Sequence, residues 1–173
     1  MNIVLTGFMA TGKTVVGKNI AKVLSMSFID LDETIERDVG MTISGIFKHK
    51  GERYFRDVET KAVKCVSLLD NFVIATGGGV VLKKENMDEL EKKGVIICLA
   101  ASPRVIFRRA RNTRARPLLN VEKAEERIEE LLRQRRRFYK RCSLTVDTSE
   151  KTVEEITERI VKFIEENKKG GKN

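Results

Sequence analysis

The feature that most constrains this chain is a glycine-rich octet near its N-terminus, GFMATGKT over residues 7–14. The octet fits G-x-x-x-x-G-K-[ST], the P-loop pattern. Its two glycines allow backbone conformations that a Cβ would forbid, so that successive N–H groups can point inward and bind phosphate oxygens. Apolar residues 3–5 precede the octet, and apolar residues at helical spacing follow it. A strand, a phosphate-binding loop and a helix are therefore predicted in that order, which favours nucleotide binding over a chance match in a turn.

Two side chains at the end of the octet have the chemistry that a bound nucleotide needs. Lys13 can place a compact positive charge on the β- and γ-phosphates, and the Thr14 hydroxyl can ligate Mg²⁺. The N-terminus of the following helix adds its partial positive charge at the same place. We therefore predict that the octet binds nucleotide phosphates together with a metal ion.

Length and composition place the chain in a narrow class. Its 173 residues, 41% of them hydrophobic, predict one folded domain over residues 1–173. No apolar stretch approaches the roughly 20 residues of a membrane span, so no membrane partner is expected. Since the octet begins at Gly7, no signal peptide is expected before it. The widely spaced Cys65, Cys98 and Cys142 indicate neither a disulfide framework nor a zinc site, and they favour a reducing cytoplasm.

The net charge of +9 leaves two classes of partner open. A basic protein can bind nucleic acid, or it can be an enzyme that acts on anionic substrates. Aromatic residues make up only 6% of the chain, tryptophan is absent, and no motif rich in stacking residues occurs. We therefore expect anionic small-molecule substrates and no nucleic acid, with a nucleotide-regulated RNA-binding protein as the disfavoured alternative.

Five short apolar runs alternate with helical patterns along the chain. This alternation predicts an α/β fold in which a five-stranded parallel sheet has helices on both faces, a three-layer α/β/α domain. Cys98 is expected to be a buried residue of the fourth strand. The predicted strands cover residues 3–5, 27–29, 72–75, 95–100 and 144–146.

Two carboxylates follow the second strand, at the edge of an α/β sheet where ligands bind. If the strand stays extended through Asp32, the side chains of Asp30 and Asp32 point to the same side. In the alternative interpretation, Asp32 only caps the next helix, which is predicted over residues 33–39 with Gly40 as its stop. The residues alone leave both interpretations open.

Two further patterns indicate contacts with a ligand. The segment GERYFRDVE, residues 51–59, opens a helix in which Arg56 and Glu59 lie three apart and can pair. In the alternative interpretation, Arg56 is one more solvated arginine. Residues 77–79, all glycine, follow the third strand. Three glycines at the end of a buried strand predict that a ligand or another backbone approaches very closely.

Arginines are concentrated between Arg104 and Arg141. Residues 112–121 lack periodicity and are predicted to form a mobile loop. The helix expected after it, over residues 122–139, ends in the basic run RQRRR. Part of that run can serve the helix dipole, since cations are favourable in a last turn.

These motifs together resemble those of the shikimate kinase family, in the nucleoside-monophosphate-kinase-like branch of P-loop kinases. The P-loop alone is generic, whereas the GExxFRxxE stretch with the triple glycine is specific to the family. The motifs occur in the family's order over nearly the whole chain. They are GFMATGKT, Phe28-x-Asp30-x-Asp32, Ile46-Phe47 followed by residues 51–59, the triple glycine, and Arg116-Pro117-Leu118-Leu119.

The resemblance implies a P-loop kinase fold with the strand order 2-3-1-4-5. It places a substrate-binding segment at about residues 31–60 and a mobile lid at about residues 112–122. It also implies transfer of the γ-phosphate of ATP to the 3-hydroxyl of shikimate, which yields shikimate 3-phosphate and ADP in aromatic amino-acid biosynthesis. ATP and shikimate are then the partners, one Mg²⁺ ion accompanies the ATP, and we expect a monomer.

On the nucleotide side, the resemblance implies that Arg109 lies along the adenine and that Arg116, on the lid, closes over the phosphates. Thr14 would ligate the Mg²⁺ ion, with Asp30 holding it. The nucleotide-binding residues implied are Ala10, Thr11, Gly12, Lys13, Thr14, Val15, Arg109 and Arg116.

On the acceptor side, the resemblance implies that Arg56 and Arg135 clamp the shikimate carboxylate and that Asp32 accepts hydrogen bonds from the ring hydroxyls. Gly78 would lend a backbone N–H. The shikimate-binding residues implied are Asp32, Arg56, Gly77, Gly78, Gly79 and Arg135. The catalytic residues implied are Lys13, Asp32 and Arg116.

Three features depart from the family pattern, one of them being that residues 147–151 show no match to the family's adenine-contacting loop. Ala10 stands where the family often has glycine, which we expect the loop to tolerate. The lid region is richer in arginine than expected, so the nucleotide contact lies among Arg109, Arg111 and Arg114. The nearest alternative activity, a P-loop kinase for another small hydroxylated acid such as gluconate, would keep the ATP site and change the surroundings of Asp32.

Overall fold

The structure, a computed structural model, describes residues 1–111 and 123–170. Its strands are β1 (Asn2–Thr6), β2 (Ser27–Asp30), β3 (Phe72–Ala75), β4 (Gly94–Ala100) and β5 (Leu144–Asp147). Its α-helices are α1 (Lys13–Val23), α2 (Leu31–Val39), α3 (Ile43–Ser67), α4 (Lys84–Glu91), α5 (Pro103–Arg111), α6 (Ala124–Tyr139) and α7 (Val153–Gly170). Within these ranges, no helix combines the length and the apolar character that crossing a bilayer requires.

The sheet has the predicted order, β2-β3-β1-β4-β5, and every neighbouring pair is parallel. Ile3 of the central strand β1 lies opposite Val73 of β3 and Val95 of β4. Every residue of β1 is buried, because a central parallel strand is covered by helices on both faces. Since parallel strands end at the same edge, the loops that follow β1, β3 and β4 are neighbours.

Helices cover both faces, which confirms the three-layer prediction. On one face, Val4 and Ile74 belong to a core cluster with the apolar sides of α2, α3 and α4. On the other face, Ile3 and Leu5 belong to a cluster with α1 and α7. Cys98 is buried in β4, as predicted. Because both faces of the sheet are apolar and covered, polar side chains collect at the edge where the strands end.

Most boundaries lie within one or two residues of the predictions, and two differences bear on the site. β2 ends at Asp30 and α2 begins at Leu31, so the interpretation with an extended strand through Asp32 is wrong. The alternative is wrong as well, because Asp30 caps the helix: its Oδ1 accepts the N–H groups of Asp32 at 3.0 Å and Glu33 at 3.4 Å. The two helices predicted on either side of Gly51 run together as α3, interrupted where Gly51 has φ 81° and ψ 169°.

Candidate active site

The glycine-rich octet joins β1 to α1, and its shape depends on its glycines. Gly7 has φ 137°, and a Cβ there would lie 2.2 Å from the carbonyl oxygen of Leu99. Gly12 has φ 95° and directly precedes α1. Because glycine has no side chain that could cap the helix, the first N–H groups of α1 are available to phosphate oxygens.

Side chains of the octet hold the loop in this shape. The Thr11 hydroxyl donates to the carbonyl oxygen of Phe8 at 2.8 Å. The Lys13 ammonium donates to the carbonyl oxygens of Gly7 at 2.9 Å and Phe8 at 2.8 Å. The lysine charge is therefore kept over the loop. Val15, in the first turn of α1, has an exposed side chain, so its predicted nucleotide contact would be made by the backbone N–H.

Thr14 and Asp30 lie together where α1 begins and β2 ends. The Thr14 hydroxyl donates to Oδ2 of Asp30 at 2.7 Å, while Oδ1 caps α2. Because a carboxylate only accepts, the threonine proton points to Asp30 and its lone pairs point elsewhere. The pair thus presents hard oxygen ligands, which fit Mg²⁺ when water and phosphate oxygens supply the remaining ligands.

The three glycines after β3 are crowded by predicted site residues. A Cβ on Gly77 would lie 2.7 Å from Oδ1 of Asp32, and a Cβ on Gly79 would lie 2.5 Å from Nη1 of Arg56. Gly79 has φ −102°, so the position needs space rather than an unusual backbone conformation. The structure therefore brings Asp32 and Arg56 to the two ends of one three-residue segment.

The middle glycine faces the P-loop. A Cβ on Gly78 would lie 3.3 Å from the backbone nitrogen of Met9 and 3.6 Å from the carbonyl oxygen of Gly7. The predicted close approach of another backbone is thus confirmed. The segment joins the phosphate-binding loop to the side chains predicted to bind the acceptor.

Arg56 is held in an ion pair rather than in solvent. Its Nη1 donates to Oε2 of Glu59 at 2.8 Å, and its Nη2 donates to Oε1 of Glu52 at 3.3 Å. Only 17% of the Arg56 side chain and 1% of the Glu59 side chain are exposed. The predicted pairing is confirmed, and the alternative of a solvated arginine is wrong.

Burial acts on both charges of this pair. It lowers the pKa of Arg56, but the attraction of Glu59 and Glu52 is stronger, so the pKa lies above its ordinary value. Burial also raises the pKa of Glu59, and the positive charge of Arg56 offsets that shift only in part. The site therefore keeps a permanent positive charge beside a carboxylate that burial destabilises.

The basic run at the end of α6 contains one arginine that is turned inward. Arg133, Arg136 and Arg137 are exposed, whereas Arg135 is half-buried. The Arg135 guanidinium lies 5.7 Å from the centre of the Phe8 ring. Because Phe8 belongs to the P-loop, Arg135 lies beside that loop.

Tyr139, the last residue of α6, is a site residue that the sequence reasoning misses. Its hydroxyl donates to the carbonyl oxygen of Gly78 at 2.7 Å. The sequence signal for it is weak: a tyrosine four residues after Arg135 lies on the same side of the helix. Because every residue has a backbone carbonyl, the sequence gives no sign of which carbonyl the tyrosine hydroxyl will bind.

Arg109 links α5 to the P-loop and to the loop after β5. Its Nη1 donates to the Thr148 hydroxyl at 3.0 Å and lies 3.5 Å from the carbonyl oxygen of Ala10, while its Nη2 donates to the Thr148 carbonyl oxygen at 2.6 Å. Burial, and then the like charge of Arg108, lower the pKa of Arg109. Thr148, another residue that the sequence reasoning misses, is buried and lies 3.1 Å from the carbonyl oxygen of Thr11.

Of the three arginines considered for the nucleotide contact, the structure describes Arg109 and Arg111, and they differ in position. Arg109 touches the P-loop, whereas Arg111 is exposed and lies near the Phe107 ring. Arg114 and the lid residue Arg116 lie outside the described residues. Their predicted roles therefore stay predictions.

The site has two sides that meet at residues 77–79. The phosphate side consists of the P-loop with Lys13 and Thr14, and the acceptor side has Asp32 and Arg56, with Arg135 beside the P-loop. Phosphoryl transfer depends on positioning and on neutralising charge. An anion-binding loop beside a carboxylate and arginines therefore suits the transfer of a phosphoryl group to a hydroxyl of a small acid.

Comparisons with known proteins agree with one another. A family model described as shikimate kinase matches residues 9–165. A shikimate kinase of Thermodesulfovibrio yellowstonii is 53% identical over 164 residues, 95% of each chain. A shikimate kinase of Thermoanaerobacter pseudethanolicus is 50% identical over 169 residues, 98% of this chain and 99% of its own. A solved structure, shikimate kinase from Acinetobacter baumannii in complex with shikimate, matches with a TM-score of 0.92 and 34% identity, over 96% of this chain and 94% of that chain.

Proposed function

The chain belongs to the shikimate kinase family, and from this premise we propose how its own residues carry out the reaction. The enzyme is an ATP-dependent kinase that transfers phosphate to shikimate, a step of aromatic amino-acid biosynthesis. The family membership therefore excludes the alternative of a gluconate kinase. We propose that the 3-hydroxyl of shikimate attacks the γ-phosphate in line, giving shikimate 3-phosphate and ADP.

On the phosphate side, the backbone N–H groups of residues 10–15 surround the phosphates, and Lys13 neutralises charge on the β- and γ-phosphates. The Thr14 hydroxyl donates its hydrogen bond to Oδ2 of Asp30, so that an oxygen lone pair is free for the metal ion. Mg²⁺ bound there would neutralise phosphate charge and fix the phosphate oxygens. Arg109 is anchored beside the P-loop and lies along the adenine.

On the acceptor side, Arg56 and Arg135 bind the shikimate carboxylate, because the planar guanidinium can donate two parallel hydrogen bonds to it. Glu59 fixes the orientation of the Arg56 guanidinium by accepting a hydrogen bond from its Nη1. Asp32 accepts hydrogen bonds from the ring hydroxyls, orients the 3-hydroxyl and takes its proton. Gly77, Gly78 and Gly79 line the acceptor, and Gly78 contributes a backbone N–H.

Arg116, on the lid at residues 112–122, closes over the phosphates and completes the neutralisation of charge. Closure would exclude water, which otherwise competes with shikimate as the acceptor. Residues 31–60 form the substrate-binding segment. Residues 1–173 then act as a single kinase domain.

One observation carries this proposal. Asp32 and Arg56 lie against the two ends of a glycine segment whose middle residue lies against the P-loop. Helices α2 and α3 thereby supply a carboxylate and a guanidinium close to the phosphate-binding loop. A hydroxylated acid needs both groups, one for its hydroxyl and one for its carboxylate.

The variant Asp32→Asn tests the role of the carboxylate. We expect kcat at saturating shikimate to fall by about 100-fold or more, because the amide cannot take the proton. The control Asp88→Asn removes a surface carboxylate of α4 that pairs with Lys84 and Arg141, and its turnover should be unchanged. Full turnover of Asp32→Asn would show that Asp32 has no catalytic role.

We further propose that one Mg²⁺ ion accompanies ATP and that the enzyme acts as a monomer in the cytoplasm without a nucleic-acid partner. The free thiols of Cys65, Cys98 and Cys142 support a reducing compartment. Light scattering at assay concentration tests the monomer, and filter binding of RNA at physiological salt tests the absence of a nucleic-acid partner.

A further inference from the structure

The carbonyl group of Gly78 is held by a side chain from a distant part of the chain. The Tyr139 hydroxyl donates to it at 2.7 Å, across 61 residues of sequence. Neither Gly78 nor Gly79 has a Cβ, and glycine backbone has more conformational freedom than that of any other residue. The peptide between them therefore depends on external contacts for its orientation.

The hydrogen bond to the Gly78 carbonyl also orients the neighbouring N–H group of Gly79. The Gly78 carbonyl and the Gly79 N–H belong to one planar peptide group, so that holding one end sets the direction of the other. The Arg56 guanidinium lies directly against Gly79, where a Cβ would be 2.5 Å from Nη1. The Tyr139 hydroxyl thus helps to define the surface on which Arg56 rests.

The same hydroxyl lies next to the second arginine of the acceptor side. Arg135 precedes Tyr139 by four residues on α6, which places the two side chains on one side of the helix. A guanidinium only donates, and a phenol that donates to a carbonyl still has lone pairs that accept. Burial raises the pKa of Tyr139 to about 12, against the opposing charges of Arg135 and Arg56, so the hydroxyl keeps its proton in any ordinary assay.

The ring of Tyr139 supports this placement. It packs against the apolar cluster that contains Ile74 and also against the cluster formed by Phe8 and parts of α5 and α6. The ring therefore sits between the sheet and the P-loop. Because the ring is packed on both sides, the position of its hydroxyl at Gly78 is well defined.

We propose that Tyr139 is a positioning residue for shikimate, whose hydroxyl holds the peptide after Gly78 and the Arg135 guanidinium in the arrangement that receives the acid. The inference rests on the proposed function, because it takes Arg135 and the glycine segment as shikimate contacts. Tyr139 acts through these groups and touches no reacting atom.

The variant Tyr139→Phe removes the hydroxyl and keeps the ring. The KM for shikimate should rise about tenfold, as expected when one hydrogen bond to a binding group is lost. The kcat and the KM for ATP should change by less than about twofold, and the Tm by less than about 3 °C, because ring packing is retained. Steady-state kinetics and a thermal melt measure all four quantities.

A double-mutant cycle with Arg135→Ala tests whether the Tyr139 hydroxyl acts through Arg135. If the hydroxyl acts largely through Arg135, removing it from the Arg135→Ala variant should raise the KM for shikimate by less than about threefold. Equal effects in both backgrounds would contradict the coupling. A Tyr139→Phe variant with an unchanged KM for shikimate would overturn the proposal, and so would one that fails to fold or that raises both KM values together.

The carboxylate clamp and the role of Tyr139 can be tested separately. If Arg135→Ala leaves the KM for shikimate unchanged, Arg135 is not part of the proposed carboxylate clamp. If Arg135→Ala raises that KM and Tyr139→Phe does not, the clamp stands and only the role of Tyr139 is wrong.

Discussion

The phosphate side and the acceptor side of the site are built in different ways. On the phosphate side, consecutive residues act largely through their backbone, and Gly7 has a conformation and surroundings that exclude a side chain. On the acceptor side, Asp32, Arg56 and Tyr139 come from three helices and meet at residues 77–79. Adding a side chain to a glycine of the phosphate side such as Gly7 should therefore damage the fold. A change on the acceptor side should alter affinity while the fold survives.

The largest effect is expected from Gly7→Ala. The added methyl would collide with the backbone oxygen of Leu99, which cannot move without distorting β4, and φ 137° is unfavourable for alanine. Stability should fall by about 3 kcal/mol or more, with the Tm lower by roughly 10 °C. The matched control is Gly40→Ala, where φ is 69° and no atom lies within 4 Å of the added methyl. It should cost only about 1 kcal/mol. Similar losses in both variants, seen by urea unfolding, would contradict the collision.

Gly79→Ala is the corresponding change on the acceptor side. Its methyl would meet the Arg56 guanidinium, the movable end of a long side chain, rather than backbone. We expect the guanidinium to be displaced and the KM for shikimate to rise by about 10-fold to 100-fold, since a charged hydrogen bond is disturbed. The KM for ATP should change little, and the unfolding free energy should fall by less than in Gly7→Ala, because the guanidinium can shift while it stays near Glu59. A variant that unfolds as easily as Gly7→Ala would show that the two sides do not differ.

Glu59→Gln tests the buried charge of the acceptor side through pH. Because burial raises the pKa of Glu59, the folded protein binds this proton more tightly than the unfolded chain does. The stability that this group contributes is fully present below its ordinary pKa of 4.5 and is lost as the pH rises through the folded-state pKa.

Glutamine does not titrate, so the unfolding free energy of the wild type minus that of Glu59→Gln should fall as the pH rises from about 4 to about 7. The fall amounts to about 1.4 kcal/mol for each unit of pKa difference. Urea unfolding at several pH values measures the difference. A difference that stays constant or grows with pH would show that burial does not destabilise the Glu59 charge.

The smallest effect is expected at Ala10. Its φ of 59° costs a residue with a Cβ about 1 kcal/mol, which glycine avoids. Glycine, however, loses about 0.5–1 kcal/mol more on folding because its unfolded chain is freer. Ala10→Gly should therefore change stability by less than about 0.5 kcal/mol and leave the KM for ATP within about twofold. A tenfold change in that KM would mean that the methyl group shapes the phosphate site.

The same contrast explains how much could be read from the sequence. The P-loop, the strands and the Arg56–Glu59 pair depend on residues close together in the chain, and these predictions are confirmed. The role of Asp32 depends on where α2 begins: because β2 ends at Asp30 and does not continue through Asp32, Asp30 is the cap. Helix boundaries are set by such competition between caps, which local patterns resolve poorly.

The sequence does not predict Tyr139 and Thr148 as site residues for a different reason. Tyr139 bonds a glycine carbonyl 61 residues away, and Thr148 bonds a P-loop carbonyl 137 residues away. Backbone acceptors exist at every residue, so no pattern marks the ones that are used. Within its basic run, only the family resemblance distinguishes Arg135, whereas in the structure its partial burial separates it from its exposed neighbours.

The most direct test of the two-sided site is to measure the Kd of ATP with Mg²⁺ and the Kd of shikimate separately, by calorimetry, for three variants. Lys13→Ala should weaken ATP binding by about tenfold or more and leave shikimate binding unchanged, because the lysine ammonium lies over the P-loop. Arg56→Ala and Arg135→Ala should weaken shikimate by about tenfold or more and leave ATP binding unchanged. Shikimate binding equal to that of the wild type in both arginine variants would contradict the account.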